Sequence, residues 1–295
     1  MGNIPDYLIG VVVFIFGLLF GSFMNVIIYR VPRRKSVVFP GSHCTECKAT
    51  IKPYDNIPVL SYLMLRGRCR NCGAKISIRY PLVELLVGAV YFLVFLKVAG
   101  DYGLLGGGPS EPPAEFWLSL GADLAFISFI IPLVFIDFEH KLLPNAITYP
   151  GIIVMLGLRL VAPDNWILAN TPTFGLIPPP VWPIALIGSV LGMLAGGGVL
   201  WLVAEAYFRL RRIEGMGLGD VKMMLMVGAY LGWQLTLLTI FAGSLLGSII
   251  GIMLIAFGRA NMKTEIPFGV YLGLAAIISL FIGPSLIDWY TSNLR

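Results

Sequence analysis

Apolar runs recur along this chain at roughly 7–29, 81–98, 116–136, 145–162, 183–207, 222–233, 235–257 and 268–287. A segment crossing about 30 Å of hydrocarbon must satisfy its backbone N–H and C=O groups internally, and a helix of about 20 residues does so. The expected fold is therefore an all-α polytopic membrane protein with about eight transmembrane helices. The 222–233 run is too short to cross alone at about 1.5 Å per residue, so it is expected as a short helix enclosed by protein. Composition agrees: 57% of residues are hydrophobic and 13% charged, with a mean hydropathy of +0.85. That balance excludes a water-soluble enzyme.

Basic residues orient the chain. Residues 30–80 hold 11 of the 21 Lys and Arg, whereas the loops at 99–115 and 163–182 hold none. Lys141, Arg209, Arg211, Arg212, Arg259 and Lys263 fall in loops on the same side as the basic stretch. The positive-inside rule makes that side cytoplasmic and puts the N-terminus outside. The first run lacks a basic region before it, having Asp6 there, and Arg30, Arg33, Arg34 and Lys35 follow it. It is expected to be a retained helix, not a cleaved signal. Lys97 and Arg159, near outer helix ends, are expected to snorkel to the headgroups. The net charge of +5 then reflects topology, with membrane lipids as the partner and no nucleic acid.

All four cysteines fall in the polar stretch between the first two runs, as Cys44-x-x-Cys47 and Cys69-x-x-Cys72. Two CxxC units at this distance suit a pair of knuckles giving four thiolates to one tetrahedral zinc ion. Disulfides are the competing reading, and a cytoplasmic loop disfavours them. Four thiolates leave no open position for substrate, so the metal is expected to be structural, supporting a small insert at about 32–79. His43 is either a replacement ligand or a solvated loop residue. Arg66, Arg68 and Arg70 face anionic headgroups or solvent.

Two acids then stand out: Asp137 in FIDFEHKLLPN and Asp220 in GMGLGD, each at one end of an apolar segment. An ionised carboxylate beside hydrocarbon persists where it has a partner, water or a task. Counting spans inward from an outside N-terminus puts both at the cytoplasmic face, where two carboxylates can share a proton as an aspartic protease does. Each alone also reads as a helix cap or interfacial charge. Gly215, Gly217 and Gly219 free the backbone ahead of Asp220. No strand precedes this glycine run, which argues against a phosphate loop. Asp123 lies about 21 Å up its helix from Asp137 and reads as a packing partner. Glu139 and His140 read as solvated turn charges. Glu205 either bonds within the bundle or shapes the site, and Lys222 either lowers the pKa of Asp220 or snorkels.

With these residues in place, the chain resembles the type IV prepilin peptidases, bifunctional leader peptidase/N-methyltransferases and GxGD-type membrane aspartic proteases. The resemblance runs through GSFMNVIIYRVP at 21–32, the tetracysteine insert, YDNIPVLSYLMLRGRCRNC at 54–72 and RYPLVELL at 79–86. It continues through FIDFEHKLLPNAITYPG at 135–151, GMGLGDVKMMLMVGAYLG at 215–232 and IPFGVYL at 266–272. The GxGD element alone is shared with presenilin-like proteases; the ordered set with the insert is specific. The resemblance implies catalytic roles for Asp137 and Asp220, with Gly217 and Gly219 in the active-site loop. Many members carry Asp where this chain has Asn145.

It further implies a methyltransferase-associated region over 1–98 and a peptidase domain over 99–295, with S-adenosylmethionine as methyl donor. Gly21, Asn25, Arg30 and Glu84 lie in the region tied to methylation, and helix packing and capping compete for each. The implied substrates are prepilins or pseudopilins, cut after the glycine that ends a basic leader and then N-methylated, at the inner membrane of a bacterium. Two other readings remain. A presenilin-like intramembrane protease leaves the zinc insert unexplained, and a secondary transporter requires inverted repeats and midplane acids that the chain does not display.

Overall fold

A computed structural model describes residues 6–106, 111–162, 164–172, 181–212, 217–258 and 266–293. Gly215, Arg259 and Lys263 lie outside the described residues. The described chain is helical, with two isolated β-bridges. It forms two compact units, residues 1–120 and 121–295.

In the first unit, α1 (Asp6–Arg30) packs along α3 (Arg79–Asp101). Their approach depends on small residues. A Cβ on Gly17 would overlap the backbone of Gly88, and one on Gly21 would overlap the Cα of Glu84. Small residues let membrane helices approach until their backbones touch, replacing the hydrophobic drive that lipid cannot supply. The insert between them carries α2 (Leu60–Met64) and the two cysteine loops.

The second unit is built around α9. Here α4 (Ala114–His140) is followed after Lys141, whose φ of 50° ends the helix, by α5 (Asn145–Val161) and the short α6 (Asn165–Ala169). Then α7 (Val181–Met193) joins α8 (Val199–Arg211) through a π-helical turn at Leu194–Gly198. The unit closes with α9 (Leu218–Ala256) and α10 (Phe268–Asn293). Among the described residues, six helical segments are long and apolar enough to cross a membrane, and α5 is a shorter apolar helix. Large apolar side chains such as Ile153, Phe241 and Ile252 stand about two-thirds or more exposed, as lipid-facing residues do.

The two runs expected at 222–233 and 235–257 form one continuous element broken at Gly232, where φ is 74° and ψ 175°. In a straight helix Met224 and Thr236 would stand about 18 Å apart. Yet a Cβ on Gly196 would meet both of them, so the chain folds back at Gly232. The first half is almost wholly enclosed: Met223, Met224, Met226, Val227 and Ala229 have no exposed surface. It therefore works as the short, protein-enclosed helix expected from its length. Gly192 and Gly228 meet backbone to backbone, since a Cβ on either would run into the carbonyl of the other.

Arg159 does not snorkel. It is 3% exposed, and its guanidinium donates through Nε (2.9 Å) and a terminal nitrogen to the carbonyl of Tyr230, which the break at Gly232 deprives of its helical partner. The guanidinium also lies 4.7 Å from the centre of the Tyr230 ring, whose hydroxyl donates to Asp123 at 2.6 Å. Asp123 thus belongs to a buried clasp at the fold-back.

Candidate active site and metal centre

Three helix ends of the second unit converge on two carboxylates. Asp137 lies one turn before the end of α4 and is 5% exposed; Asp220 lies in the first turn of α9 and is 8% exposed. The first turn of α10 closes the site. The backbone N–H of Val270, which has no partner inside its own helix, donates to Oδ2 of Asp137 at 3.0 Å. Such helix N-termini favour negative charge. Asp220 occupies the third position of α9, where the same effect operates, behind the extended Gly217.

Gly269 fixes the spacing. The position a Cβ would take there is 2.9 Å from Oδ2 of Asp137 and 3.1 Å from Oδ1 of Asp220. Those two distances total 6.0 Å, so the oxygens can be no farther apart than that. This range admits a water or a peptide carbonyl between them. Leu143, from the α4–α5 turn, wedges the site together. Its side chain lies 2.9 Å from the Cβ position of Gly219 and 3.0 Å from that of Gly269. A larger residue at either glycine would push the helix ends apart.

The neighbours are placed differently from several expectations. Lys222 donates to Oδ1 of Asn145 at 2.8 Å and stands over the Tyr149 ring, tying the start of α9 to the start of α5. Glu205 pairs with Arg209 one turn on, at 2.7 Å, on an exposed helix face. Glu139 and His140 approach each other at 3.9 Å. Gly269, Val270 and Leu143 were not anticipated as site residues. The signal available was Pro267-Phe268-Gly269, a helix start with glycine where close approach is needed.

In the first unit, the four cysteine sulfurs lie within 4.8 Å of one another. Sγ of Cys44 is 3.9 Å from that of Cys72, and Cys47 is 4.0 Å from Cys69. A disulfide needs about 2.05 Å, whereas the edge of a tetrahedron with 2.3 Å Zn–S bonds is about 3.8 Å. The two loops repeat one design. Cys44 N–H donates to Ala49 O and Cys69 N–H to Ala74 O, and the residue after each second cysteine, Lys48 or Gly73, has positive φ. The backbone N–H of Ala49 and the Asn71 amide lower the Cys47 thiol to about 6. His43 bonds the Gly41 carbonyl through Nδ1.

The polar residues of the α1–α3 pair anchor the insert. Arg30 donates to the carbonyls of Ser36 (3.0 Å) and Gly41 (3.2 Å), and Asn25 to that of Tyr80 (3.0 Å). Glu84 accepts the Val59 N–H at 2.8 Å, where the chain enters α2 with positive φ. Gly21 lies directly against Glu84. Arg70 forks onto Asp55 at 2.6 to 3.1 Å, and this pair holds the Asp55 carboxyl below the usual range.

Comparison with known proteins follows the same division. Residues 15–98 match the bacterial peptidase A24 N-terminal domain, and residues 124–252 match the type IV leader peptidase family. The chain is 34% identical to a prepilin leader peptidase/N-methyltransferase of Aeromonas salmonicida, over 96% of this chain and 94% of that one. Enzymes of the same name from Myxococcus xanthus (36% identity; 89% and 69% covered) and Pseudomonas aeruginosa (34%; 93% and 90%) are similarly related. No solved structure matches.

Proposed function

Because this chain belongs to the type IV leader peptidase family, we propose that it removes the leader from prepilin-like proteins and then methylates the new N-terminus. The observation that carries the peptidase half is the meeting of Asp137 and Asp220 at one point beside Gly269. In the proposed reaction the two share one proton. The ionised carboxylate takes a proton from water, which attacks the scissile carbonyl, while the protonated partner donates to that carbonyl oxygen. Collapse of the tetrahedral intermediate returns a proton to the leaving amine. Val270 N–H holds Asp137 in place throughout. Which carboxylate takes the first proton belongs to the coupled pair.

The second activity transfers a methyl group from S-adenosylmethionine to the neutral α-amine of the mature N-terminus. It is assigned to residues 1–98, and the further domain 99–295 to cleavage. Within the first region the chemistry of Asn25, Arg30 and Glu84 here is positional, since each holds backbone of the insert or its boundary. A structural zinc ion on Cys44, Cys47, Cys69 and Cys72 stabilises that insert. The protein is a multi-pass protein of the bacterial inner membrane, with the basic insert and the aspartates at the cytoplasmic face. There the leader stays in water while the apolar helix after the cut stays in lipid. Reconstituted protein, given a leader-bearing prepilin and S-adenosylmethionine, should yield a product lacking the leader and heavier by one methyl group. An uncut prepilin would refute the peptidase half, and a cut, unmethylated one the transferase half.

A further inference from the structure

The cysteine-bearing insert presents apolar side chains outward in two segments. Val38 and Phe39 stand in the loop after α1, and Phe39 is 77% exposed. Leu60, Leu63 and Met64 recur at i, i+3 and i+4 on one face of α2, and Met64 is 76% exposed. Ser61, off that face, is buried and bonds the Tyr54 carbonyl at 2.9 Å, which fixes how α2 is turned. Clustered apolar side chains left outside a fold mark an interaction surface.

Both segments are fixed to the ends of membrane helices. Arg30, the last residue of α1, reaches the Ser36 and Gly41 carbonyls on either side of Val38 and Phe39. Glu84 accepts the N–H of Val59, the residue before α2, at 2.8 Å. Glu84 is the sixth residue of α3, so that contact lies about 8 Å along the helix from its start. Around it α3 already exposes Leu82, Leu85 and Leu86, as lipid-facing residues do. The start of α2 is therefore held at the depth where the lipid-facing surface of α3 begins.

Charge says what covers these segments. Arg33, Arg34 and Lys35 precede the first, and the exposed Arg66 and Arg68 follow the second. Arg70 is taken up by Asp55. Residues 30–80 hold 11 Lys and Arg against two acids, Glu46 and Asp55. Apolar side chains with basic flanks, held at a membrane boundary, match a bilayer surface with anionic headgroups. A protein partner at that depth would have to displace lipid and bring its own acids.

We infer that Val38, Phe39 and the apolar face of α2 enter the headgroup–acyl boundary of the bilayer, while Arg34, Arg66 and Arg68 bind anionic lipid headgroups. The insert is then an interfacial anchor lying on the membrane surface, and anionic lipid orders it.

The test places the full-length protein in liposomes of phosphatidylcholine alone or of phosphatidylcholine mixed with phosphatidylglycerol. Amide hydrogen exchange over residues 60–68 should be about 30-fold slower in the anionic liposomes, the factor that two arginines supply at a charged surface. Arg66→Gln with Arg68→Gln should erase that difference between the lipids. Equal exchange of the unsubstituted protein in both liposomes would overturn the inference, and so would a difference that survives undiminished in the double variant. A second measurement needs no charge change. A photo-crosslinking amino acid at Phe39 or Met64 should capture lipid. Adducts confined to another segment of the chain, to a second copy or to added prepilin would overturn the proposal. Both readouts are independent of catalysis, so their failure would leave the proposed reaction standing.

Discussion

Asp137 and Asp220 were legible in sequence because acids bordering apolar segments are expensive and therefore conspicuous. Gly269 and Val270 were not, since their role depends on which helix ends meet; Val270 binds a carboxylate 133 residues away in sequence. Arg159 was misread for a related reason. Its partner is a carbonyl exposed by the break at Gly232, and nothing local to Arg159 announces that break. Gly269 supports the sharpest prediction at this scale. A methyl group there would stand 2.9 and 3.1 Å from the two carboxylate oxygens and 3.0 Å from Leu143. Gly269→Ala should therefore lower the cleavage rate about 100-fold by misplacing the reacting groups. Methylation of a prepilin that has already been cut should persist, and mass spectrometry of both products would distinguish the effects.

At the level of elements, apolar length identified the helices, while their breaks needed the third dimension. The apolar runs at 222–233 and 235–257 read as two helices, the first short and enclosed, and close packing of Gly196 against both Met224 and Thr236 shows how the chain folds back between them at Gly232. The backbone at Gly232 lies where only glycine is comfortable, so Gly232→Ala should cost about 1–3 kcal/mol. Gly157→Ala is the matched control: it sits in regular helix with open space around its Cβ position, and should be neutral or slightly stabilising. Thermal unfolding in detergent would compare the two.

The insert makes a different prediction, from charge. Arg70 holds the Asp55 carboxyl below its ordinary value of about 4. The pair therefore stabilises the insert above that pH, and the contribution is lost as pH falls through the lowered value. Hydrogen-exchange protection of the insert should be weaker in Asp55→Asn than in the unsubstituted protein at pH 7. That difference should shrink as pH falls below 4. On the zinc reading proposed above, removing any one of the four cysteines should abolish zinc binding and unfold the insert, while leaving cleavage less affected than methylation.

For the whole molecule, hydropathy supplied the class of fold, and the CxxC spacing supplied the tetracysteine cluster, because both signals are local. The convergence of the α4, α9 and α10 ends is a property of the second unit and had to be seen. The central claim is that Asp137 and Asp220 act as one catalytic unit, and reconstituted cleavage of prepilin by single and double variants tests it most directly. Asp137→Asn and Asp220→Asn keep size and polarity while removing the shared titratable proton. Each alone should abolish cleavage, the double variant should be hardly worse than either, and Asp123→Asn and Glu139→Gln should retain substantial activity. Normal cleavage by either aspartate variant, with the protein folded and inserted, would contradict the account.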